Sequence, residues 1–315
     1  MLKNKTIFVM STLAVAISLG ACQPKQTEKK EDPQQTQVEE QKNELVGNVE
    51  KLSLNLPECK DKNCPELDIY RLSSNQKFID EIIDQKILAI LKEVVTLAPS
   101  QEQEEKSAST AEASSELSVK DVQTPKMELE QKVAPYTKAF LSLDEEIKAL
   151  SANHSISLMI KPKILKSEGS LVTVVLNSSN YLGGAHGSTS QTYLNFDLDT
   201  KKQVELKDIV EKDKLKQLDA KAYEAFKAWI VESEIATNVD EYEQAWKFKL
   251  SNNFNLDKKG LILQYGEYEI GPYVVGLPRL IIPYDQLQGI LKAQYLPEAT
   301  TQTTAASEVV TKESK

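Results

Sequence analysis

The sequence predicts an α+β fold built from two small antiparallel sheets packed with helices. Short strand-like segments, some apolar throughout and some alternating with polar residues, recur over 156–198 and again over 254–282. Segments with apolar residues three and four positions apart, as on one face of a helix, lie before and between these runs. The body spans about 250 residues, and we interpret it as two closely associated halves.

The first 21 residues have the features of a secretory signal. Lys3 and Lys5 precede an apolar run over residues 7–19, which is too short to count as a membrane-spanning helix. The signal ends in Leu-Gly-Ala, directly before Cys22, and this pattern resembles the bacterial lipobox. A plain secretory signal with an incidental cysteine is the alternative.

The lipobox resemblance implies that Cys22 carries a diacylglyceryl thioether and an N-acyl chain and becomes the first mature residue. Several acyl chains anchor a protein stably, at about 0.8 kcal/mol per buried methylene. We therefore expect a soluble body tethered to the membrane of the cell envelope. Gln23 replaces the aspartate that retains lipoproteins at the inner membrane of enteric bacteria. In a Gram-negative cell this favours the outer membrane, facing the periplasm.

Three segments are too polar to offset the entropy cost of ordering their backbone. We expect a disordered tether over residues 22–44, a disordered loop over about 99–118 and a disordered tail over 297–315. The chain has a formal net charge of −9, and removal of the signal with Lys3 and Lys5 makes the remainder more acidic. This charge disfavours nucleic acid and anionic lipid as partners and is compatible with a cationic partner.

Cys59 and Cys64 remain once Cys22 is assigned to lipid, and four residues separate them. In an oxidising compartment we expect them to form a local disulfide. A zinc site would need two more ligands, and the histidines at 154 and 186 are the only ones in the sequence, so we expect no metal. A redox-active pair is also disfavoured, because the spacing is not Cys-x-x-Cys.

The first half, residues 45–170, is expected to contain two strands and two helices. The strands are predicted over 49–56 and 156–160, with Pro162 ending the second strand or placing it near a sheet edge. The helices are predicted over 78–95, capped by Ser73-Ser74, and over 127–150, where Pro135 is expected to break or kink the helix.

The second half, residues 171–296, is expected to begin and end with strands. Its predicted elements are strands over 171–176, 192–198, 254–256, 261–265 and 280–282, helices over 215–230 and 240–250, and a closing helix over 285–291 that Asp285 caps. A turn at 257–260 is expected to join two of the strands.

A glycine-rich loop between two of these strands is the most distinctive stretch of the chain. It reads Tyr-Leu-Gly-Gly-Ala-His-Gly over residues 181–187. Gly183, Gly184 and Gly187 permit positive φ angles or close backbone approach, so the loop can fold tightly over neighbouring structure.

His186 lies between glycines and is the candidate catalyst, with Ser188, Thr189 and Asp197 nearby in sequence. One interpretation is a general base or a serine-type arrangement. The other, which we favour, is that His186 donates to a backbone carbonyl and pins the loop. We find no Gly-x-Ser-x-Gly elbow, phosphate loop or dinucleotide fingerprint, and we expect no cofactor.

The same loop carries a resemblance to a known family. Together with Asn-Phe-Asp at 195–197, Leu206 with Asp208, and Ile-Ile-Pro-Tyr at 281–284, it resembles the C-terminal domain of RsiV, the lysozyme-sensing anti-sigma factor. The resemblance covers about Val172 to Leu296, and weakly the region from Val46 as a partner domain. It implies an RsiV C-terminal-domain-like fold and a binding role, with lysozyme as a possible partner. In place of the spanning helix and sigma-binding segment of RsiV, we expect a cleaved signal and a lipid anchor.

A second group of candidate binding residues lies near the C-terminus. Tyr265, Tyr268 and Tyr273 occur among glycines and prolines, where they form either a recognition surface or half-buried strand positions. Tyr181 precedes the glycine loop and belongs to the same candidate set.

From these features we expect a non-catalytic binding module for a protein such as lysozyme or for a peptidoglycan fragment. The alternatives are an enzyme acting on peptidoglycan or glycan, since some relatives carry this domain beside a polysaccharide deacetylase, and a passive structural envelope lipoprotein.

Overall fold

The computed structural model describes residues 44–60, 63–95, 123–150, 155–167, 169 and 171–297. The predicted signal, Cys22, most of the tether, the predicted loop at 99–118, His154 and the tail beyond 297 lie outside the described residues. Among the residues that are described, no helix is long and apolar enough to cross a membrane.

The described residues form nine strands, five α-helices and three short 3-10 helices. In chain order the elements are β1 Gly47–Lys51, β2 Glu66–Ser74, α1 Lys77–Val94, α2 Pro125–Leu150, β3 Ser157–Lys166, β4 Leu171–Tyr181, β5 Ser188–Asp197, β6 Lys202–Val204, α3 Leu206–Ile209, α4 Leu215–Glu232, α5 Val239–Ala245, β7 Phe254–Leu256, β8 Gly260–Gln264, a 3-10 helix Tyr273–Val275, β9 Arg279–Pro283, and 3-10 helices Tyr284–Leu287 and Ala293–Tyr295. This is the α+β class that the sequence predicts.

Six strands form one sheet in the order β1-β2-β3-β4-β5-β6, and β7-β8-β9 form a second sheet. The expectation that both sheets are antiparallel is wrong at one place, because β2 and β3 pair in parallel. The chain between these two strands contains α1 and α2, and such a crossover returns the chain in its original direction. The large sheet also continues past the predicted boundary between residues 170 and 171, since β3 pairs with β4.

Two large hydrophobic cores lie in the described part of the chain, beside a small cluster of Val175, Tyr193 and Ile262. In the first, α1 and α2 cover one face of the large sheet, and the contributing side chains include Ile83, Ile87, Val133, Tyr136, Phe140, Ile160, Val174 and Phe196. In the second, α4 packs with the small sheet through residues such as Phe226, Ile230, Phe254, Leu263 and Ile282. Full burial of one such side chain contributes about 1.5–3 kcal/mol.

Of the two prolines for which the sequence predicts a structural effect, Pro135 differs from the expectation and Pro162 agrees with it. Helix α2 runs through Pro135 without a break. Val133 and Tyr136 on either side are fully buried, so core packing offsets the missing backbone hydrogen bond. Pro162 lies within β3, opposite Leu176, but just past Ile160, where pairing with β2 stops. It is thus near a local edge, as predicted.

Two helix ends also differ from the sequence prediction. Ser74 ends β2, and its hydroxyl and backbone N–H both donate to Asp80, so the serine holds the first turn of α1 from outside the helix. The predicted closing helix is a 3-10 helix over Tyr284–Leu287 followed by a turn, with Asp285 inside it. The predicted disulfide is present, joining Cys59 and Cys64 with their Cα atoms 5.7 Å apart.

Candidate functional site

The glycine-rich loop joins β4 to β5, and two of its positions require glycine, one because of its positive φ and the other because of a close backbone contact. Gly183 has a φ of +83°, and an added Cβ would lie 2.9 Å from Cδ1 of Ile147 on α2. At Gly187 an added Cβ would lie 2.6 Å from the backbone oxygen of Asn180. Gly184 has ordinary space around it, with the nearest atom at 3.8 Å. The predicted tight packing of the loop is therefore set by Gly183 and Gly187.

His186 has partners at both ring nitrogens. Its Nδ1 lies 3.0 Å from the backbone oxygen of Gly187, and its Nε2 lies 3.0 Å from the hydroxyl of Tyr268. A carbonyl oxygen only accepts, so Nδ1 donates to Gly187, and with a neutral imidazole Nε2 then accepts from the Tyr268 hydroxyl. The ring also stacks on Tyr273, with centroids 3.8 Å apart.

These contacts build a cluster that we call the aromatic surface, consisting of His186, Trp246, Tyr268 and Tyr273. The Tyr268 ring lies 5.9 Å from that of Tyr273 and 6.5 Å from that of Trp246. Tyr268 is 51% exposed, although its neighbours in the cluster hold it in place. The hydroxyl of Tyr273 donates to the backbone oxygen of Gly187 at 3.0 Å, which joins the cluster to the glycine-rich loop.

Tyr268 has a φ of +64°, a left-handed conformation that bulky residues rarely adopt. Its backbone lies in the turn over 267–269 that follows β8. Such strain costs about 1–3 kcal/mol and persists only where the surrounding structure fixes it. The conformation and the neighbouring rings together fix the phenol at the surface.

Glu267 connects this turn to the beginning of β5. One carboxylate oxygen accepts from the backbone N–H of Thr189 at 3.0 Å and from its hydroxyl at 2.7 Å, and the other accepts from the Ser188 hydroxyl at 3.0 Å. The serine-type arrangement with His186 is thus not formed, because Ser188 donates to a carboxylate. Asp197 lies at the opposite end of β5, where it accepts from backbone N–H groups of a turn.

Tyr265 is a core residue, which corrects its place among the candidate binding residues. It is 2% exposed, and its hydroxyl donates to the backbone oxygen of Lys249 at 2.9 Å. Burial raises the pKa of the Tyr265 phenol. Period-two spacing with the buried Leu261 and Leu263 is the sequence signal for this position. Tyr181, at the end of β4, is half-buried.

Trp246 and Glu267 belong to the site but were not among the candidate site residues. Glu267 is separated from Ser188 and Thr189 by more than 75 residues, as its hydrogen bonds show. No local pattern predicts such a long-range pair. Trp246 falls within the helix predicted over 240–250, where helical spacing alone does not indicate a site; in the structure it directly follows α5.

Glycine-loop residues, the first residues of β5 and the turn after β8 enclose a shallow cavity of about 520 Å³. Its floor and rim contain His186, Ser188, Glu267 and Tyr268. Within the described ranges, no group of three or more His, Cys, Asp or Glu side chains is arranged to hold a metal ion. The arrangement offers aromatic contact area and hydrogen-bonding groups on rigid supports.

Residues 207–285 match a family model described as "Protein of unknown function (DUF3298)". The chain is 25% identical over 169 residues to the peptidoglycan-N-acetylmuramic acid deacetylase PdaC of Bacillus subtilis, a match that covers 51% of this chain and 36% of PdaC. The alignment thus spans about a third of that relative.

Two solved structures of DUF3298 proteins share the fold. A protein from Pseudomonas aeruginosa PAO1 is 22% identical with a TM-score of 0.55, and the match covers 80% of this chain and 95% of that protein. A protein from Bacteroides fragilis NCTC 9343 is 19% identical with a TM-score of 0.51, and the match covers 79% and 92%.

The family match includes Trp246, Tyr268 and Tyr273. It begins at residue 207, C-terminal to His186, and so does not include the histidine. DUF3298 is similar to the C-terminal domain of RsiV, in line with the sequence resemblance. Residues 207–285 of this chain therefore carry a DUF3298 domain match, within a fold that solved DUF3298 proteins share.

Proposed function

We propose that this protein is a non-catalytic binding module of the cell envelope and that its aromatic surface contacts a cationic, wall-acting protein such as lysozyme. The observation that carries the proposal is the cluster itself. Tyr268 is half exposed yet fixed by His186 and by the neighbouring rings of Tyr273 and Trp246. Rigid, exposed aromatic side chains of this kind provide binding energy at low entropy cost.

Charge beside the aromatic surface supports a cationic partner. Glu267 accepts from hydroxyl and backbone donors, and Glu269 accepts from the backbone N–H of Gly266 at 2.7 Å. These donors are neutral, so they bring no positive charge to either carboxylate beside Tyr268. The chain as a whole has a formal net charge of −9, which favours encounter with a basic protein.

The contacts of His186 support binding over catalysis. A general base needs a nitrogen free to take a proton from substrate. Here Nδ1 is directed at the Gly187 carbonyl and Nε2 at the Tyr268 hydroxyl. The nearest hydroxyl in sequence, that of Ser188, donates to Glu267. His186 thus orients the exposed tyrosine.

We also propose that Cys22 carries a lipid anchor. Such an anchor would hold the binding surface in the envelope, on the periplasmic side of the outer membrane in a Gram-negative cell. The Leu-Gly-Ala-Cys sequence at positions 19–22 supports this part of the proposal. Metabolic labelling with a palmitate analogue tests it, since a Cys22→Ser chain would lose the label.

The central experiment is a calorimetric titration of the full chain with hen egg-white lysozyme at low salt and at about 0.15 M salt, where the Debye length is about 8 Å. We expect saturable binding at both salt concentrations. Tyr268→Ala should weaken it at least about tenfold, as removal of a hot-spot aromatic does. Val231→Ala, which truncates another exposed apolar residue on α4, is the matched control and should leave affinity unchanged.

Heat that disappears at the higher salt, or equal affinity for the Tyr268→Ala and Val231→Ala chains, would contradict the proposal. The first outcome would mean general charge attraction, and the second would place the contact elsewhere on the molecule.

The second candidate function is action on peptidoglycan itself, favoured by the 25% identity to PdaC, whose name describes a peptidoglycan deacetylase. The test is incubation of purified cell wall with the full chain and with His186→Ala, followed by analysis of released products. Turnover that disappears in a folded His186→Ala chain would favour an enzyme. We expect no products from either chain.

A further inference from the structure

A second cleft lies at the opposite end of the β4–β5 hairpin from the aromatic surface. It encloses about 640 Å³ between the ends of β3 and β5, the turn after β7 and the C-terminal segment. Strand β4 has eleven residues, so the two sites are separated by roughly 35 Å at about 3.3 Å per residue. Residues lining the cleft include Lys166, Asp197, Asn255, Lys258, Tyr284 and Tyr295.

Asn255 contributes a buried amide to this cleft. It lies in the middle of β7 and is 6% exposed. Its side-chain oxygen accepts no hydrogen bond from any residue that the structure describes. An unpaired buried acceptor costs about 1–3 kcal/mol, and native proteins retain one where water or a ligand supplies the donor. Asn255 is also one of the residues that line the cleft, so a turn of its side-chain amide would present this unpaired oxygen to a ligand N–H or O–H.

The charges around the cleft balance. Among its described lining residues, Lys166 and Lys258 carry positive charge, and Asp197 and Asp257 carry negative charge. Desolvating an ion requires an opposite charge in excess at the site. A balanced lining therefore favours a neutral, polar ligand over an anion or a cation.

Two tyrosines supply apolar surface on the walls. Tyr284 and Tyr295 are half-buried, and burial raises the pKa of both phenols, so each hydroxyl remains protonated near neutral pH. A tyrosine of this kind presents an apolar ring with a polar tip. The C–H face of a pyranose ring packs on an aromatic ring, while its hydroxyl groups pair with phenol and amide groups.

We propose that this cleft binds a neutral N-acetylated saccharide, with the Asn255 side-chain oxygen accepting from the sugar amide N–H or a hydroxyl and with Tyr284 and Tyr295 packing against the sugar ring. Binding involves no covalent step. The cleft volume lies within the range of about 300–1,000 Å³ that small-ligand sites occupy. The proposal is independent of the aromatic surface and of its protein partner.

The probe is triacetylchitotriose, titrated into the full chain and followed by NMR or calorimetry. We expect saturable binding with a Kd of the order of 1 mM or tighter. Asn255→Leu removes the amide with little change in volume, so it should reduce affinity at least tenfold while the Tm stays equal or rises. Tyr295→Ala should also weaken binding, whereas Lys259→Ala, an exposed position on the same turn outside the cleft, should not.

Three outcomes would overturn the proposal of a saccharide cleft. The first is that the unchanged chain does not bind triacetylchitotriose at a concentration about tenfold above that Kd. The others are equal affinity of the Asn255→Leu chain for the saccharide, and saccharide binding that is lost in Tyr268→Ala but kept in Tyr295→Ala. If Asn255→Leu fails to fold, Tyr295→Ala decides the question. Lysozyme binding is measured separately on the same variants. A failure of the cleft is thereby distinguished from a failure of the aromatic surface.

Discussion

At the scale of single residues, Gly187 and Gly184 make a matched pair within one loop. A Cβ at Gly187 would lie 2.6 Å from the Asn180 backbone oxygen, which is held by the β4–β5 pairing, whereas at Gly184 the nearest atom is 3.8 Å away. We expect Gly187→Ala to lower the free energy of unfolding by about 1–3 kcal/mol, as overpacking does. Gly184→Ala should change it by less than about 0.5 kcal/mol.

Denaturant unfolding of the two glycine variants measures this difference. Equal free energies of unfolding for Gly187→Ala and Gly184→Ala would show that the loop relaxes away from the contact. It would also mean that the loop backbone does not fix the position of His186.

Asp84 on α1 gives the molecule a predictable dependence on pH. Burial raises its pKa from 3.8 to about 6, even though the Arg71 guanidinium, 3.1 Å away, lowers it. Because the folded state binds this proton more tightly, the stability that the protonated group contributes is present below pH 3.8 and is lost as pH rises through 6. In Asp84→Asn the side chain stays neutral at every pH.

We therefore expect the free energy of unfolding of the natural chain, measured relative to Asp84→Asn, to fall between about pH 4 and pH 7. Urea unfolding at several pH values checks this. A difference that stays constant over the range would mean that Asp84 titrates with an ordinary pKa.

At the scale of elements, the disulfide fixes the segment that leads from β1 to β2. Cys59 and Cys64 have a sequence separation of five. Closing so short a loop removes limited entropy from the unfolded chain, about 2 kcal/mol on the chain-entropy model. We expect Cys59→Ser with Cys64→Ser to lower the free energy of unfolding by roughly this amount while the fold is retained. Thermal unfolding with and without reductant measures the effect.

A chain with both serines that fails to fold would contradict that expectation. Reductant should have no effect on the double variant, which serves as its own control.

The pairing of β3 with β4 also explains why the glycine-rich loop is well fixed. Residues 157–164 of β3 pair with 174–181 of β4, and 171–180 of β4 pair with 188–197 of β5. Helix α2 then places Ile147 against Gly183. The loop is thus supported by two strands and a helix, which together fix the position of His186.

At the scale of the whole molecule, the large sheet serves both hydrophobic cores. Val172 and Val174 on β4 belong to the first core, whereas Leu171 on the same strand and Val204 on β6 belong to the second. We therefore predict that residues 171–297 alone do not fold, because β4 would lose its partner β3 and the helices that cover it. Circular dichroism and NMR dispersion of this fragment check the prediction.

Residues 44–297 provide the control, which we expect to unfold in a single cooperative transition. A fragment of 171–297 that unfolds cooperatively by itself would instead support two independently stable halves with a boundary at residue 170.

Much of the fold follows from sequence because its signals are local. The apolar, β-branched run in β4, the alternation in β5, the helical spacing in α1 and α4, and two cysteines with four residues between them each reflect contacts between near neighbours. The glycine-rich loop and its histidine were likewise visible, since glycine tolerates the close approach seen at Gly183 and Gly187.

The site itself depended on contacts between distant parts of the chain. Glu267 reaches β5, Tyr268 reaches His186 and Tyr273 reaches Gly187, each across more than 75 residues. Sequence assigned similar roles to Tyr265 and Tyr268, but one is buried and the other half exposed. Residue type determined the aromatic and glycine content of the site, whereas tertiary packing decided which rings face solvent, because burial depends on what the rest of the chain brings to cover each side chain.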